Sequence, residues 1–179
     1  MWQIILIAVA AVVILLVLAV ASRPSDFRVT RTGGVAAPAG VVFENVNDLH
    51  RWEAWSPWAK MDPHAKSTFS GPEAGPGASM EWSGNNKVGA GRMTIIDSRP
   101  GEAVHLKLEF FKPFKATNLA EFSFTPQGDR TLVTWSMSGK NNFMGKAFSL
   151  FMNCDKMVGG EFEKGLASLD SVARAVAAH

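Results

Sequence analysis

The sequence contains little cysteine and no grouped histidines, which limits the chemistry it can support. Its single cysteine, Cys154, excludes an intrachain disulfide and fits a reducing compartment. The four histidines, His50, His64, His105 and His179, are scattered without the short His/Cys spacing of a zinc site. We therefore predict no metal site.

Nucleotide and nucleic-acid signatures are also missing. The sequence has no run of Lys or Arg, and its 18 basic and 16 acidic residues give a net charge of +2. Gly89-Ala90-Gly91 does not begin a dinucleotide fingerprint, because position 94 is Thr94. A phosphate-binding loop and a Gly-x-Ser-x-Gly elbow are absent as well. We expect no nucleic-acid partner and no cofactor.

The N-terminus lacks charge altogether. Residues 1–22 contain no Asp, Glu, Lys or Arg, and residues 4–21 are 18 consecutive apolar residues. About 20 residues of helix cross a hydrocarbon core of ~30 Å. A cleaved signal peptide is the alternative, because residues 19–21 form a small-x-small site, but no basic residue precedes the run and no lipid-attachment cysteine follows it. We predict a transmembrane anchor over 1–22 and a folded domain over 23–179.

The flanking charges predict the orientation of this anchor. Arg23, Arg28 and Arg31 follow it against one acidic residue, Asp26. The positive-inside rule then predicts a single-pass protein of the cell inner membrane with its C-terminal domain in the cytoplasm. Pro24 ends the helix, and a linker of about six residues reaches ~20 Å, which holds the domain near the lipid surface.

The domain is predicted to be α+β. Pro38 opens a helix near Ala39, and alternation of apolar and polar residues, with intervening turns, predicts an antiparallel sheet of about seven strands. These strands cover 27–35, 66–71, 78–82, 87–97, 103–111, 118–126 and 130–137.

The C-terminal segment has helical periodicity. An apolar stripe predicts one long amphipathic helix around which the sheet wraps. Its members are Phe151, Cys154, Val158, Phe162, Leu166, Leu169, Val172 and Val176. Gly159 and Gly160 interrupt it at a cost of ~1 kcal/mol each, which indicates a close backbone approach or a bend.

Three tryptophans, Trp52, Trp55 and Trp58, lie within seven residues, and Pro57 separates the last from the other two. Packing over the open end of the sheet is the favoured interpretation, because each ring buries on the order of 150 to 250 Å². Lining of a cavity and contact with the membrane interface are the alternatives. Buried indole N–H groups would need carbonyl partners.

Catalytic residues are not evident. His50 could form an acid–base pair with Asp48 or Glu53, but a solvated helix face is the favoured interpretation. His105 alternates with apolar neighbours and is predicted to point outward, and Cys154 lies on the apolar stripe as a small core residue. We therefore expect binding and assign no catalytic residue.

Alternation predicts which side chains face the inside of the sheet, and these are the candidate ligand-binding residues. They are mostly Phe, Trp and Met, which suit a hydrophobic ligand. The set is Trp55, Trp58, Met80, Trp82, Met93, Phe110, Phe122, Phe124, Trp135 and Met137.

Four stretches carry a resemblance to a known family: residues 37–58, 80–95, 132–139 and 155–169, or "APAGVVFENVNDLHRWEAWSPW", "MEWSGNNKVGAGRMTI", "LVTWSMSG" and "DKMVGGEFEKGLASL". They resemble the SRPBCC superfamily, in particular its membrane-anchored polyketide cyclase/dehydrase-type proteins. The resemblance implies the helix-grip fold, in which sheet and C-terminal helix enclose a hydrophobic cavity.

Three functional hypotheses are compatible with these features. The first is a membrane-tethered protein that binds a lipid or an isoprenoid quinone in an internal apolar cavity. The second is an accessory subunit of a larger membrane protein complex, or a homo-oligomer, held by the N-terminal helix. The third is a polyketide cyclase/dehydratase-type enzyme, which would need an acid–base group inside the cavity. The partners expected are the lipid bilayer and a hydrophobic small molecule.

Overall fold

One antiparallel sheet organises the domain, in strand order β1-β7-β6-β5-β4-β3-β2. The structure is a computed structural model that describes residues 1–151 and 153–178. The strands are β1 (Asp26–Val35), β2 (Lys66–Ser70), β3 (Ser79–Ser83), β4 (Ala90–Arg99), β5 (Ala103–Lys112), β6 (Ala116–Gln127) and β7 (Arg130–Lys140). Their number and antiparallel pairing confirm the prediction, since alternating side chains specify one buried face.

Helix α1 (Trp2–Ala21) precedes the sheet and is long and apolar enough to cross a membrane. Apart from Val20, its side chains are exposed. Ser22–Ser25 link it to β1, so the linker is about two residues shorter than the six that were predicted.

Two short helices follow β1 and cover one end of the sheet. Helix α2 (Ala39–Asn47) begins after Pro38, as predicted, and α3 (Trp52–Trp55) ends at Ser56, just before Pro57. The two are joined by a 3₁₀ turn over Leu49–Arg51. The indole nitrogens of α3 donate to the end of α2: Trp52 Nε1 to the Val46 carbonyl at 2.9 Å and Trp55 Nε1 to the Asn45 carbonyl at 3.0 Å. These bonds satisfy carbonyls that a helix terminus leaves free.

The long helix α5 (Cys154–Ala177) lies across β1 and also contacts α2 and α3. Phe162, Leu166 and Leu169 of the predicted stripe are buried, whereas Val176 is exposed. The side chains of Phe151 and Cys154 lie outside what the structure describes.

The glycines of α5 have different neighbours. A β-carbon at Gly159 would overlap the guanidinium of Arg31, whereas one at Gly160 would meet nothing within 4 Å. The predicted close approach is therefore made at Gly159 by a side chain, not by a backbone. Gly165 allows a further approach, because a β-carbon there would lie 2.7 Å from Trp135 Cζ3 and 3.1 Å from Pro57 Cδ.

The C-terminal segment forms two helices where one was predicted. Helix α4 (Phe143–Phe151) follows β7 and is separate from α5. Asn153 caps α5, because its side chain accepts a hydrogen bond from the Lys156 amide at 3.0 Å. An Asn at this position satisfies the first free amides of a new helix, so the predicted start at Phe151 was wrong.

Candidate ligand-binding site

A cluster of aromatic rings fills the space between the sheet, α3 and α5. Trp135 stacks on Phe162 with ring centroids 4.0 Å apart and on Phe122 at 4.6 Å. Trp52 and Trp55 pack edge-on against the same rings. Both are buried, so the interpretation of packing holds for them and membrane contact by their rings was wrong.

Trp58 lies at the margin of this cluster. Its ring is edge-on to Trp135 at 5.7 Å and to Phe162 at 6.2 Å, and it remains partly exposed. Trp58, in the loop after α3, therefore covers one side of the aromatic cluster.

The interior is closed at one end of the sheet. Cross-strand rows of inward-facing residues follow from the register: Phe124 pairs with Val133, and Val104 lies beside Phe122, which pairs with Trp135. All five side chains are at most 4% exposed. We call these two rows the closed end.

Burial decreases toward the opposite end, where the β5–β6 hairpin turns. In the next row, Leu106 is 1%, Ala120 5% and Met137 9% exposed. Beyond it, Met93 is 8% exposed, and the other inward-facing side chains on β3, β4 and β5 are only partly buried. We call this set the open strip: Met80, Trp82, Met93, Leu108 and Phe110.

The open strip presents an apolar surface with one aromatic contact. Trp82 meets Phe110 edge-on at 5.8 Å, and its indole nitrogen donates to the Val88 carbonyl at 3.1 Å. Gly91, opposite Trp82 in β4, leaves room for that indole ring. The ring is thereby held against the strip with its own polar atom satisfied.

Asn118 places a polar group beside the open strip. It pairs with Leu108 on one side and Gly139 on the other, and it is 7% exposed. Its Nδ2 lies 3.7 Å from the sulfur of Met137, whereas its Oδ1 has no hydrogen-bond partner among the described residues. An unmet buried amide oxygen costs ~1 to 3 kcal/mol, so Asn118 is a candidate for a ligand contact.

Arg31 joins β1 to α5 at the margin of the interior. Its guanidinium contacts Asp155 at 3.0 Å and Glu163 at 2.7 Å. Hydrogen bonding from Arg31 lowers the pKa of the Asp155 carboxyl, and bonds to Asp155 and Glu163 raise the pKa of Arg31. Because one guanidinium on β1 bonds to two carboxylates on α5, Arg31 fixes α5 in place.

The His50 pair lies outside this interior. His50 Nδ1 is 3.0 Å from Asp48 Oδ1, and its ring stacks on Phe69 at 4.1 Å, beside a surface cleft of about 370 Å³. The same Asp48 oxygen accepts the His50 amide, so Asp48 caps the 3₁₀ turn. His50 contacts Asp48, and no ion pair with Glu53 is present among the described residues.

His105 faces the outer side of the sheet, as predicted. Its ring nitrogens lie 3.2 Å from Asp97 and 3.7 Å from Glu121. It is therefore remote from the open strip.

The structure divides the ten candidate ligand-binding residues into two groups. Trp55, Phe122, Phe124 and Trp135 belong to the closed core, Trp58 lies at its margin, and Met80, Trp82, Met93, Phe110 and Met137 lie at or next to the open strip. Asn118 and Leu108 complete the second group and were missed. Asn118 alternates in step with Ala120, Phe122 and Phe124, so the sequence alone predicts that it faces inward.

The sheet, the helix across it and the apolar interior define a helix-grip protein. The family model for "Polyketide cyclase / dehydrase and lipid transport" matches residues 26–174, and the chain belongs to that family. No curated protein sequence matches this one.

Solved structures share the fold at low sequence identity. Protein CV1439 from Chromobacterium violaceum has a TM-score of 0.59 and 13% identity, over 84% of this chain and 98% of that one. Ms6760 from Mycobacterium smegmatis has 0.59 and 18%, over 83% and 92%. The di-domain ARO/CYC StfQ from the steffimycin biosynthetic pathway has 0.60 and 12%, over 87% of this chain and 53% of that one.

Proposed function

We propose that this protein is a membrane-tethered binding protein for a hydrophobic molecule, such as a lipid or an isoprenoid quinone. The observation that carries the proposal is the burial gradient along the inner face, from the closed end to the open strip. An apolar ligand covering Met80, Trp82, Leu108 and Phe110 would remove their exposed surface from water, at roughly 25 cal/mol per Å².

Asn118 supports a narrower ligand class. Its unmatched Oδ1 is an acceptor, and a hydroxyl group is a matching donor. We propose that the ligand carries a hydroxyl next to an apolar body, as a lipid alcohol or a reduced quinone does.

Binding is favoured over cyclase or dehydrase catalysis, the other activities that the family name includes. The polar side chain that the register brings to the open strip is the amide of Asn118, and an amide does not act as a general acid or base near neutral pH. His50 and His105, which could do so, lie outside the interior.

The tether is proposed to be α1. Its length and composition suit a membrane span, and Arg23 lies two residues beyond its end at Ala21. The positive-inside rule favours a cytoplasmic domain at the inner membrane. Tethering raises the effective concentration of the domain at the surface that holds the ligand.

Phe110 and Phe111 offer a matched pair for the test. They are adjacent on β5, but Phe110 faces the open strip and Phe111 is exposed on the other face. Full-length protein in detergent micelles would be titrated with an isoprenoid quinol. Binding would be followed by the quenching of tryptophan fluorescence, to which Trp82 at the open strip contributes. Phe110→Ser should weaken binding by roughly tenfold or more, because it removes apolar contact, whereas Phe111→Ser should leave the Kd unchanged.

Asn118→Leu tests the polar contact with little change in volume. It should raise the Kd of the quinol about five- to tenfold and leave that of its dimethyl ether unchanged. Equal loss in Phe110→Ser and Phe111→Ser, or no saturable quenching in the wild type, would contradict binding at the open strip.

A further inference from the structure

Helix α4 exposes the apolar residues that an ordinary surface helix would bury. Phe143 is 52%, Met144 56% and Phe148 52% exposed. At 100° per residue these three side chains fall within an arc of about 140° on one side of the helix. Exposed aromatic and Met side chains concentrated on one arc indicate a contact surface.

The position of α4 identifies the partner of that surface. It contacts α1, and Val20 near the end of α1 is 3% exposed. Asp26, five residues after Ala21, pairs with Lys140, and α4 begins three residues beyond Lys140. The end of the proposed membrane span and α4 therefore lie side by side.

The tip of the β5–β6 hairpin lies at the same end of the sheet. Phe114 at the tip is 53% exposed, between the exposed Lys112 and Lys115. The register places the start of β6 beside the end of β7, which pairs with the start of β1. Two strand spacings of 4.7 to 4.9 Å put the start of β6 about 10 Å from the first residue of β1, and the hairpin tip immediately precedes β6.

Basic side chains surround these apolar groups. Arg23, Lys112, Lys115, Lys140 and Lys146 all lie near this end of the sheet, and none forms an ion pair with another described residue. The acidic residues near this end are Asp26, opposite Lys140, and Glu81 and Glu109, which form ion pairs with Arg92 and Lys107. Basic residues flanking an apolar surface match the anionic headgroups of a bilayer.

We propose that α4 and the hairpin tip form a second membrane contact beside α1, through Phe114, Phe143, Met144 and Phe148. We call these four residues the docking surface. Because the open strip lies at this same end of the sheet, docking brings the open strip close to the lipid. This inference deepens the proposed function and rests on α1 being a membrane span.

The test places a fluorophore on the full-length chain in nanodiscs of phosphatidylcholine with one third phosphatidylglycerol. In a Cys154→Ser background, labels would be attached at Phe148→Cys, at Phe114→Cys and at the control Ile96→Cys. Ile96 is 49% exposed on β4, toward the end of the strand away from the docking surface. Lipids carrying a nitroxide near the headgroup would quench a label at interfacial depth.

Quenching at positions 148 and 114 should exceed that at position 96 by about threefold, because interfacial helices sink ~5 to 10 Å into the headgroup region. Replacing Phe143, Met144 and Phe148 with Ser should reduce quenching at 114, whereas Ile96→Ser should not. Replacing Lys112, Lys115 and Lys146 with Gln should reduce it more on anionic than on neutral nanodiscs.

Two results would overturn the docking proposal. One is quenching at 148 and 114 no stronger than at 96, and the other is protection of these labels by a crosslinkable second copy or protein partner in place of lipid. The measurement uses no ligand, so failure of quinol binding in micelles with quenching intact would refute the proposed ligand and leave the docking surface standing.

Discussion

Two glycines of α5 should respond in opposite directions to the same substitution. A β-carbon at Gly160 meets nothing within 4 Å, whereas one at Gly165 would lie 2.7 Å from Cζ3 of Trp135. Trp135 cannot retreat easily, because both Phe122 and Phe162 stack on it. Gly160→Ala therefore changes only the helix, while Gly165→Ala also strains the aromatic cluster.

The magnitudes follow from two opposing effects. Replacing Gly by Ala in a helix interior stabilises by ~1 kcal/mol, and this applies at both positions. Overpacking a closed core costs ~1 to 3 kcal/mol, and this applies at Gly165 alone. We expect Gly160→Ala to gain about 1 kcal/mol and Gly165→Ala to lose about 1 kcal/mol, a difference near 2 kcal/mol.

Thermal unfolding of the full-length protein in micelles, followed by near-UV circular dichroism, would measure this difference. For a domain of this size 1 kcal/mol corresponds to ~2 to 4 °C, so the two Tm values should differ by ~4 to 8 °C. The tryptophan signal should also change in Gly165→Ala alone. A Tm for Gly165→Ala equal to or above that for Gly160→Ala would show that α5 does not press on Trp135.

Two further predictions concern charge. Arg31 lowers the pKa of Asp155, so the pair stabilises the fold at neutral pH and its contribution is lost as pH falls below about 4, where an ordinary Asp protonates. The denaturation midpoints of wild type and Asp155→Asn should therefore converge on acidification. Asp129→Asn, which removes an exposed carboxylate on the β6–β7 turn, is the control. Fusions to the C-terminus should give a fluorescent protein that glows and an alkaline phosphatase that is inactive, because Arg23 favours a cytoplasmic domain, and the reverse pattern would place the domain on the other side.

Most of the fold could be predicted because its strands bury one face. Alternation over residues 118–126 marks Ala120, Phe122 and Phe124 as inward, and the structure buries all three. Helix α4 was not predicted, for the opposite reason. Its apolar side chains point outward, so periodicity alone could not assign it a place in the domain, and the Asn153 cap was needed to separate it from α5.

The candidate site could be predicted only in part. Composition and alternation identify an apolar inner face, but they do not tell which of its residues the helices cover. Trp135 is covered by Phe162, whereas Phe110 has the same inward parity and stays partly exposed. That distinction depends on where α5 crosses the sheet, which in turn depends on Gly165 and on the ion pairs of Arg31.

The closed end and the open strip have different roles in the proposed function. The stacked rings around Trp135 stabilise the fold, whereas the accessible apolar surface lies three rows away at Phe110. If the proposed ligand binds at the open strip, it could enter and leave without displacing a stacked ring. The rate of ligand exchange would then be set separately from the free energy of unfolding, and substitutions at the open strip could change the ligand without destabilising the core.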